Sequence, residues 1–330
     1  MPLVRFLVTV LVPFLLVLNP AAARSQEPPQ PIRVRVDRVN VGAIVTDSSG
    51  HFIEGLQRAN FHVFDNGVEQ PLTDFAAVDE PAQVLLLLEA GPAVYLLQSG
   101  HLQAAHALFQ GLSPDDRVAI ARYAEAPQAV LEFTSDKNAA AAALEQVPFN
   151  LGFGDLNLSS SLGKVLDWEA GVQGKKSIVL LSTGLDTSPV NDAGRVMQRL
   201  KIADVRVLAV SLAAELQNAG PVNKKKPATE NSAQMAQQFE QANQLLKAVA
   251  GASGGRAYFP ASAKEFREAY AEIAQLVRNE YSLGFAPPAH DGLVHSIEVR
   301  IDAPQNSSRG GSPFPYRIDY RRAYLAPPPQ

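Results

Sequence analysis

The chain has 330 residues, 46% hydrophobic and 19% charged, with a formal net charge of −4 and no cysteine. That is globular composition with room for one large domain or two modest ones. It excludes disulfides, a thiol nucleophile, Cys-ligated zinc and a lipidated N-terminal Cys, and the charge offers no footprint for nucleic acid.

The N-terminus reads as a targeting segment. Arg5 precedes an apolar run over residues 6–18, and Ala21-Ala22-Ala23 offers small residues for cleavage before Arg24. The run is shorter than the ~20 apolar residues a spanning helix needs. Residues 1–23 are therefore expected to be a signal peptide and the protein to be exported, periplasmic or extracellular, with envelope association open and no membrane span in the mature chain. A Pro-rich linker follows at residues 24–31. From residue 32 apolar and charged residues alternate, the period of a half-buried strand. Residues 46–50 (TDSSG) predict a turn. A strand near 61–64 runs into Asp65-Asn66-Gly67, a hairpin signal because Asn-Gly tolerates positive φ. Residues 32–78 are thus an N-terminal antiparallel β module.

The period changes at residue 82. Residues 84–88 (VLLLL) predict a strand covered on both faces, and residues 94–112 repeat at helical spacing. Strands are expected at 118–123, 129–133, 177–182, 205–212 and 256–259. Helices are expected after Ser135 as cap, at 159–170, over NDAGRVMQRLKIAD, at about 233–252 ending on GASGG, and at 262–279. A polar insertion at about 215–231 carries the dense basic run Lys224-Lys225-Lys226, which reads as a solvated loop. Strands alternating with helices predict a doubly wound, mostly parallel α/β sheet over residues 82–279. Residues 280–326 return to alternation, with Ile297, Val299 and Ile301 two apart. They are expected to be antiparallel strands packing with the N-terminal module.

The segments VNVGAIVTDSSGHFIEGL, NFHVFDNG, VLLLLEAG, DDRVAI, KKSIVLLSTGLDTS, VRVLAVSL, SGGRAYFPAS, EYSLGFAP and YRRAYLAP occur in this order between about residues 32 and 328. In that order the chain resembles the von Willebrand factor A-like domains, and more narrowly the acidobacterial VWFA-related domain family. The resemblance implies ligand binding at the C-terminal strand ends, beside a topological switch. It also implies a divalent cation held there by an Asp and two Ser after the first strand, a Thr from a second loop and an Asp from a third, a hard-oxygen set suited to Mg²⁺ or Ca²⁺ and completed by a partner's carboxylate.

This chain departs from that pattern. Glu89 stands at the first Asp, Gly91 and Ala93 at the two Ser, Leu156 at the Thr with Asp155 and Asn157 beside it, and Thr183 at the last Asp. One glutamate with water does not hold Mg²⁺ tightly, so no metal and no cofactor is expected. A set rebuilt from Glu89, Asp155, Asn157 and Asp186 is the competing arrangement, and Glu89 otherwise reads as a solvated or capping carboxylate at the next helix's N-terminus.

Catalytic patterns are missing. The six histidines (His51, His62, His101, His106, His290, His295) lack the metalloprotease spacing and read as surface or helix-side residues. Ser159-Ser160-Ser161 has no nucleophile elbow. GASGG follows a helix and reads as its C-cap, not as a phosphate loop. Asp115-Asp116 fits a turn. The sequence therefore points to a non-enzymatic, exported protein-interaction module with a degenerate metal-ion-dependent adhesion site. Its binding rim would comprise Glu89, Gly91, Pro92, Asp155, Asn157, Thr183 and Asp186, meeting a protein partner not named by the sequence. A structural role in a cell-envelope assembly and an unrecognised hydrolase are the alternatives.

Overall fold

A computed structural model describes residues 38–329, apart from 79, 96–97, 150–154, 188–191, 220–229 and 303–315. Residues 1–37 lie outside the described residues. With them go the predicted signal peptide, the linker and the start of the first strand. The Lys224–Lys226 run lies outside as well.

The described chain opens with four strands: β1 (Val39–Asp47), β2 (Phe61–Asp65), β3 (Val68–Gln70) and β4 (Leu72–Val78). The Asp65-Asn66-Gly67 turn closes β2 on β3, with φ of +47° at Asn66 and +82° at Gly67, the left-handed pair a tight hairpin requires. Next come β5 (Ala82–Glu89), α1 (Pro92–Tyr95), α2 (Gln98–Gly111), β6 (Arg117–Tyr123), β7 (Pro127–Thr134), α3 (Lys137–Glu145), α4 (Leu158–Glu169) and β8 (Lys175–Ser182). Then follow α5 (Ala193–Ile202), β9 (Arg206–Ser211), α6 (Ala213–Ala219), α7 (Glu230–Ala252), β10 (Ala257–Tyr258) and α8 (Ala263–Arg278). Four strands close the chain: β11 (Glu280–Phe285), β12 (Val294–Ile301), β13 (Tyr316–Asp319) and β14 (Ala323–Leu325).

The central sheet has the order β10-β9-β8-β5-β6-β7. Every pairing is parallel except β6 with β7. β5 lies between β6 and β8 and every one of its residues is buried, which is why its stretch from Val84 to Leu88 is unbroken Val and Leu: helices cover both faces. One apolar cluster fills each side. Leu86, Leu88, Val118, Val179, Leu208, Phe266 and Tyr270 pack on the first face. Leu85, Leu87, Leu162, Leu166, Ile178, Val207 and Leu246 pack on the second.

The first and last strands interleave in two antiparallel sheets, β13-β1-β11-β4 and β14-β12-β2-β3. Between them lies a third cluster that includes Val41, Val63, Tyr281, Leu283, Phe285 and Tyr324. The protein is therefore a doubly wound, mostly parallel α/β sheet flanked by an antiparallel β module drawn from both ends of the chain.

Three local expectations are corrected. The cap of α3 is Asp136, not Ser135: its side chain accepts from the amides of Asn138 and Ala139, and a carboxylate at that place also answers the helix dipole. The polar insertion is partly helical, since α6 spans Ala213–Ala219 with Ala213 buried and Leu216 packed on the first core cluster. His295 is not a surface residue. It is 5% exposed and sits in a polar cluster inside the β module, with Nδ1 2.8 Å from Asp65 and Nε2 3.1 Å from Asp291. Tyr324 donates to the same Asp65 at 2.6 Å.

The GASGG expectation holds. Gly254 takes φ +73° and the amide of Gly255 reaches back to the Ala250 carbonyl at 2.8 Å, as a glycine C-cap does. A Cβ on Gly255 would lie 1.9 Å from the Val207 carbonyl oxygen, so the helix end and β9 approach too closely for any side chain.

Candidate functional site

In an open α/β sheet the crevice forms where strand order reverses direction, outside the carboxyl ends of the strands. Here the reversal falls at β5: the chain steps to β6 on one side and later to β8 on the other. The last residues of these three strands, Glu89, Tyr123 and Ser182, are therefore neighbours. Glu89 is in register with Tyr123, and Leu88 with Leu181.

Glu89 does not face solvent, nor does it cap α1. It is fully buried, and its carboxylate turns toward the loop after β8. Oε2 accepts from the Thr183 amide at 2.7 Å, the Thr183 hydroxyl at 2.8 Å, the Ser182 hydroxyl at 3.0 Å and the Tyr123 hydroxyl at 3.2 Å. Oε1 lies 3.0 Å from the Thr183 hydroxyl. Tyr123 and Ser182 are themselves 2.7 Å apart, and Ser182 Oγ accepts from the Gly184 amide at 2.8 Å. Burial raises the Glu89 carboxyl above the usual carboxylate range, while the Thr183, Ser182 and Tyr123 donors pull against it. The Tyr123 hydroxyl is raised by its own burial and then by the adjacent Glu89 charge.

The second loop closes over this network. A Cβ on Gly91 would meet Leu156 Cδ2 at 3.1 Å and lie 3.8 Å from Glu89 Oε1, so the Leu156 side chain sits against Gly91. The loop is fastened at several points. The Leu156 amide donates to the Thr187 hydroxyl at 2.8 Å, the Thr187 amide to the Leu156 carbonyl at 2.8 Å, and the Asn157 amide to the Ala124 carbonyl at 2.9 Å.

The remaining positions of the expected rim separate by exposure. Thr183 is fully buried and belongs to the Glu89 network. Gly91 is buried and Pro92 exposed. Asn157 is the N-cap of α4 and accepts from the Ser160 amide at 3.0 Å. Asp186 is half-buried and accepts from the Ser159 amide at 3.0 Å. Asp155 is exposed. Glu89, Gly91 and Thr183 are thus corrected from rim to interior. The solvent-facing set is Pro92, Asp155 and Thr187, with Asn157 and Asp186 half-buried behind it.

A hard cation next to Glu89 would need several oxygen ligands with free lone pairs. The groups that reach its oxygens are instead the Thr183 amide and the hydroxyls of Thr183, Ser182 and Tyr123, each turned to donate to the carboxylate. Asn157 and Asp186 each spend a side-chain oxygen on a helix amide, and among the described residues no group of three His, Asp or Glu is placed to hold a metal ion. The residues do not fit the ion that the resemblance implies. Tyr123 and Ser182 were missed from sequence. The available signal was a hydroxyl at the end of each strand flanking β5, which becomes readable only once strand order is known.

No family model matches the sequence, and no curated protein matches it. Among solved structures, the chain is similar to a von Willebrand factor type A protein from Catenulispora acidiphila. That match is 10% identical over 81% of this chain and 74% of that one, with a TM-score of 0.46. It is similar to the conserved hypothetical protein BatB from Bacteroides thetaiotaomicron (12% identity, 60% of this chain, 98% of that one, TM-score 0.42). A third is the manganese-loaded TRAP protein of Plasmodium vivax (10% identity, 80% and 99% coverage, TM-score 0.42). The fold class rests on the strand order given above.

Proposed function

We propose that the chain is a non-enzymatic protein-interaction module of von Willebrand A type, exported from the cell, which meets its partner at the C-terminal strand ends without a bridging cation. One observation carries the reading. The carboxylate at the expected metal position is fully buried and held by four donor groups from Thr183, Ser182 and Tyr123, so the metal-binding apparatus of such a site is replaced by a closed polar core. Recognition then falls to the exposed Pro92, Asp155 and Thr187. Export rests on the pattern of residues 1–23 alone.

The test has two arms. Mg²⁺, Ca²⁺ and Mn²⁺ added at about millimolar concentration should leave the melting temperature where chelator leaves it, because a ligand of the native state would raise it by mass action. Capture of a defined partner from an envelope fraction should be equal with chelator and with Mg²⁺. It should be lost in Asp155→Arg and retained in Arg267→Glu, a change on the exposed face of α8. Cation-dependent melting or capture, or capture indifferent to Asp155→Arg, would count against the proposal.

A further inference from the structure

At the opposite, N-terminal end of the same strands lies a cavity of about 400 Å³. Its floor is the start of β8 and β9, with Lys175, Lys176 and Arg206. Its far wall is the polar face of β1 and β11, and Arg321 enters after β13. The volume lies within the ~300–1,000 Å³ range of small-molecule sites.

The lining is unbalanced in charge. Arg38, Lys175, Lys176, Arg206 and Arg321 line it against Glu80, Asp204 and Glu280, in a chain whose overall balance is acidic. Two of the cations are compensated. Arg206 holds Glu280 at 2.5 Å, with side chains 8% and 11% exposed, and Arg38 reaches Asp74 at 3.0 Å. Gly42 is required for the first pair, since a Cβ there would lie 2.5 Å from the Glu280 carboxyl carbon.

The deeper cations donate their hydrogen bonds to carbonyls and none to a carboxylate. Lys175 is 9% exposed and its Nζ donates to the Arg278 carbonyl at 2.8 Å. Arg321 donates to the carbonyls of Asn40 and Ile202. Its buried Nε has no hydrogen-bond partner among the described residues, and Asp204, 64% exposed, stands 3.9 Å away. Burial pushes both cations toward the neutral form. The surrounding carboxylates offset this only at a distance, with no hydrogen bond to either cation, so an incoming anion that bonds them directly would relieve part of the cost of keeping them from water.

We propose that this cavity binds a small oxyanion-bearing ligand, with Lys175 and Arg321 as its charge partners and either a phosphate or a carboxylate as the group they read. The inference stands apart from the strand-end surface and does not depend on it.

The test uses the purified protein with inorganic phosphate in one arm and malonate in the other, each against chloride at matched ionic strength so that general screening cancels. An anion at about tenfold over its Kd should raise the melting temperature by about 2 °C for a chain of this size. Lys175→Met, which keeps an apolar stem, should abolish the rise. Lys201→Met, at an exposed position on α5, should preserve it. A response to phosphate alone assigns a phosphate-bearing ligand, and a response to malonate alone a carboxylate. Hydrogen exchange on the unmodified protein keeps the test independent of folding defects in the variant: amides of residues 173–176 and 203–206 should gain protection with the active anion. Neither anion acting, a rise surviving Lys175→Met, or protection confined to other segments would overturn the proposal.

Discussion

Glu89 can be tested by a pair of substitutions that separate its charge from its hydrogen bonds. Glu89→Gln keeps the shape. An amide oxygen at the Oε2 position still accepts from the Thr183 amide, and the new NH₂ faces the Thr183 hydroxyl, which can turn to accept. The buried charge is gone. Glu89→Ala removes the acceptor altogether and leaves the Thr183 amide buried with no partner, at a cost of about 1–3 kcal/mol. It also opens a cavity, which brings the loss to about 3 kcal/mol or more. For a chain of roughly this length ~1 kcal/mol moves Tm by about 2 °C, so Glu89→Ala should melt about 6 °C below the parent while Glu89→Gln melts at or above it. The pH dependence has a definite sign. Because the folded Glu89 carboxyl is raised, the folded state binds its proton more readily than the unfolded chain. The parent therefore keeps the corresponding stability below the unfolded carboxyl range, near pH 4.3, and loses it as pH rises through the folded value. The advantage of Glu89→Gln over the parent should accordingly grow with pH. Thermal melts at several pH values decide the matter. A glutamine variant as damaged as the alanine variant, or a gap between glutamine and parent that ignores pH, would refute the closed-core account.

Other consequences are open to the same measurement. Gly255→Ala should cost several kcal/mol, on the order of 3 or more, since its Cβ would collide with the Val207 carbonyl, and a drop in Tm under about 2 °C would contradict that packing. Asp116→Ala should lose about 2 kcal/mol, because Asp116 accepts from the Ala82 amide at 2.7 Å and the Ser113 amide at 2.6 Å; urea unfolding checks it. Glu169 is raised to about 7 by burial, with Lys176 opposing. Glu169→Gln should therefore stabilise by about 1 kcal/mol or more above pH 7 and have little effect below about pH 4.5. His295 is raised chiefly by its hydrogen bond to Asp291, with Asp65 adding to it against desolvation. Its contribution should be complete below about pH 6.5 and vanish as pH rises through the folded value, a slope that His295→Gln should remove from the melting curve.

Sequence revealed the fold where a local pattern and its tertiary setting agree. The Leu run of β5, the Asn66-Gly67 turn and the glycine end of α7 all follow from neighbours within a few residues. The site was less legible because its partners are remote. Glu89 meets Tyr123 34 residues on and Ser182 93 residues on, and His295 meets Asp65 across 230 residues. A carboxylate between a strand and a helix looks solvated when only the adjacent residues are considered. Strand order turns it inward, by bringing the hydroxyls at the ends of two other strands beside it.

The departures from the resembling family's ligand pattern are mutually dependent in space. A glutamate is one methylene longer than the expected aspartate, and that reach lets its carboxylate fold onto the Thr183 amide and tie the end of β5 to the loop after β8. With the charge drawn inward, the space over Gly91 is left to an apolar residue, and Leu156 takes it. Leu156 in turn needs Gly91, because even a Cβ there comes within 3.1 Å of it and a serine would crowd it further. Restoring one oxygen at a time would therefore create steric and hydrogen-bonding conflicts before it created a ligand set. Serine at 91 would press on Leu156, and aspartate at 89 would fall short of Thr183. On this geometry the closed core is a single packing solution, and metal affinity would return only if all of these positions changed together.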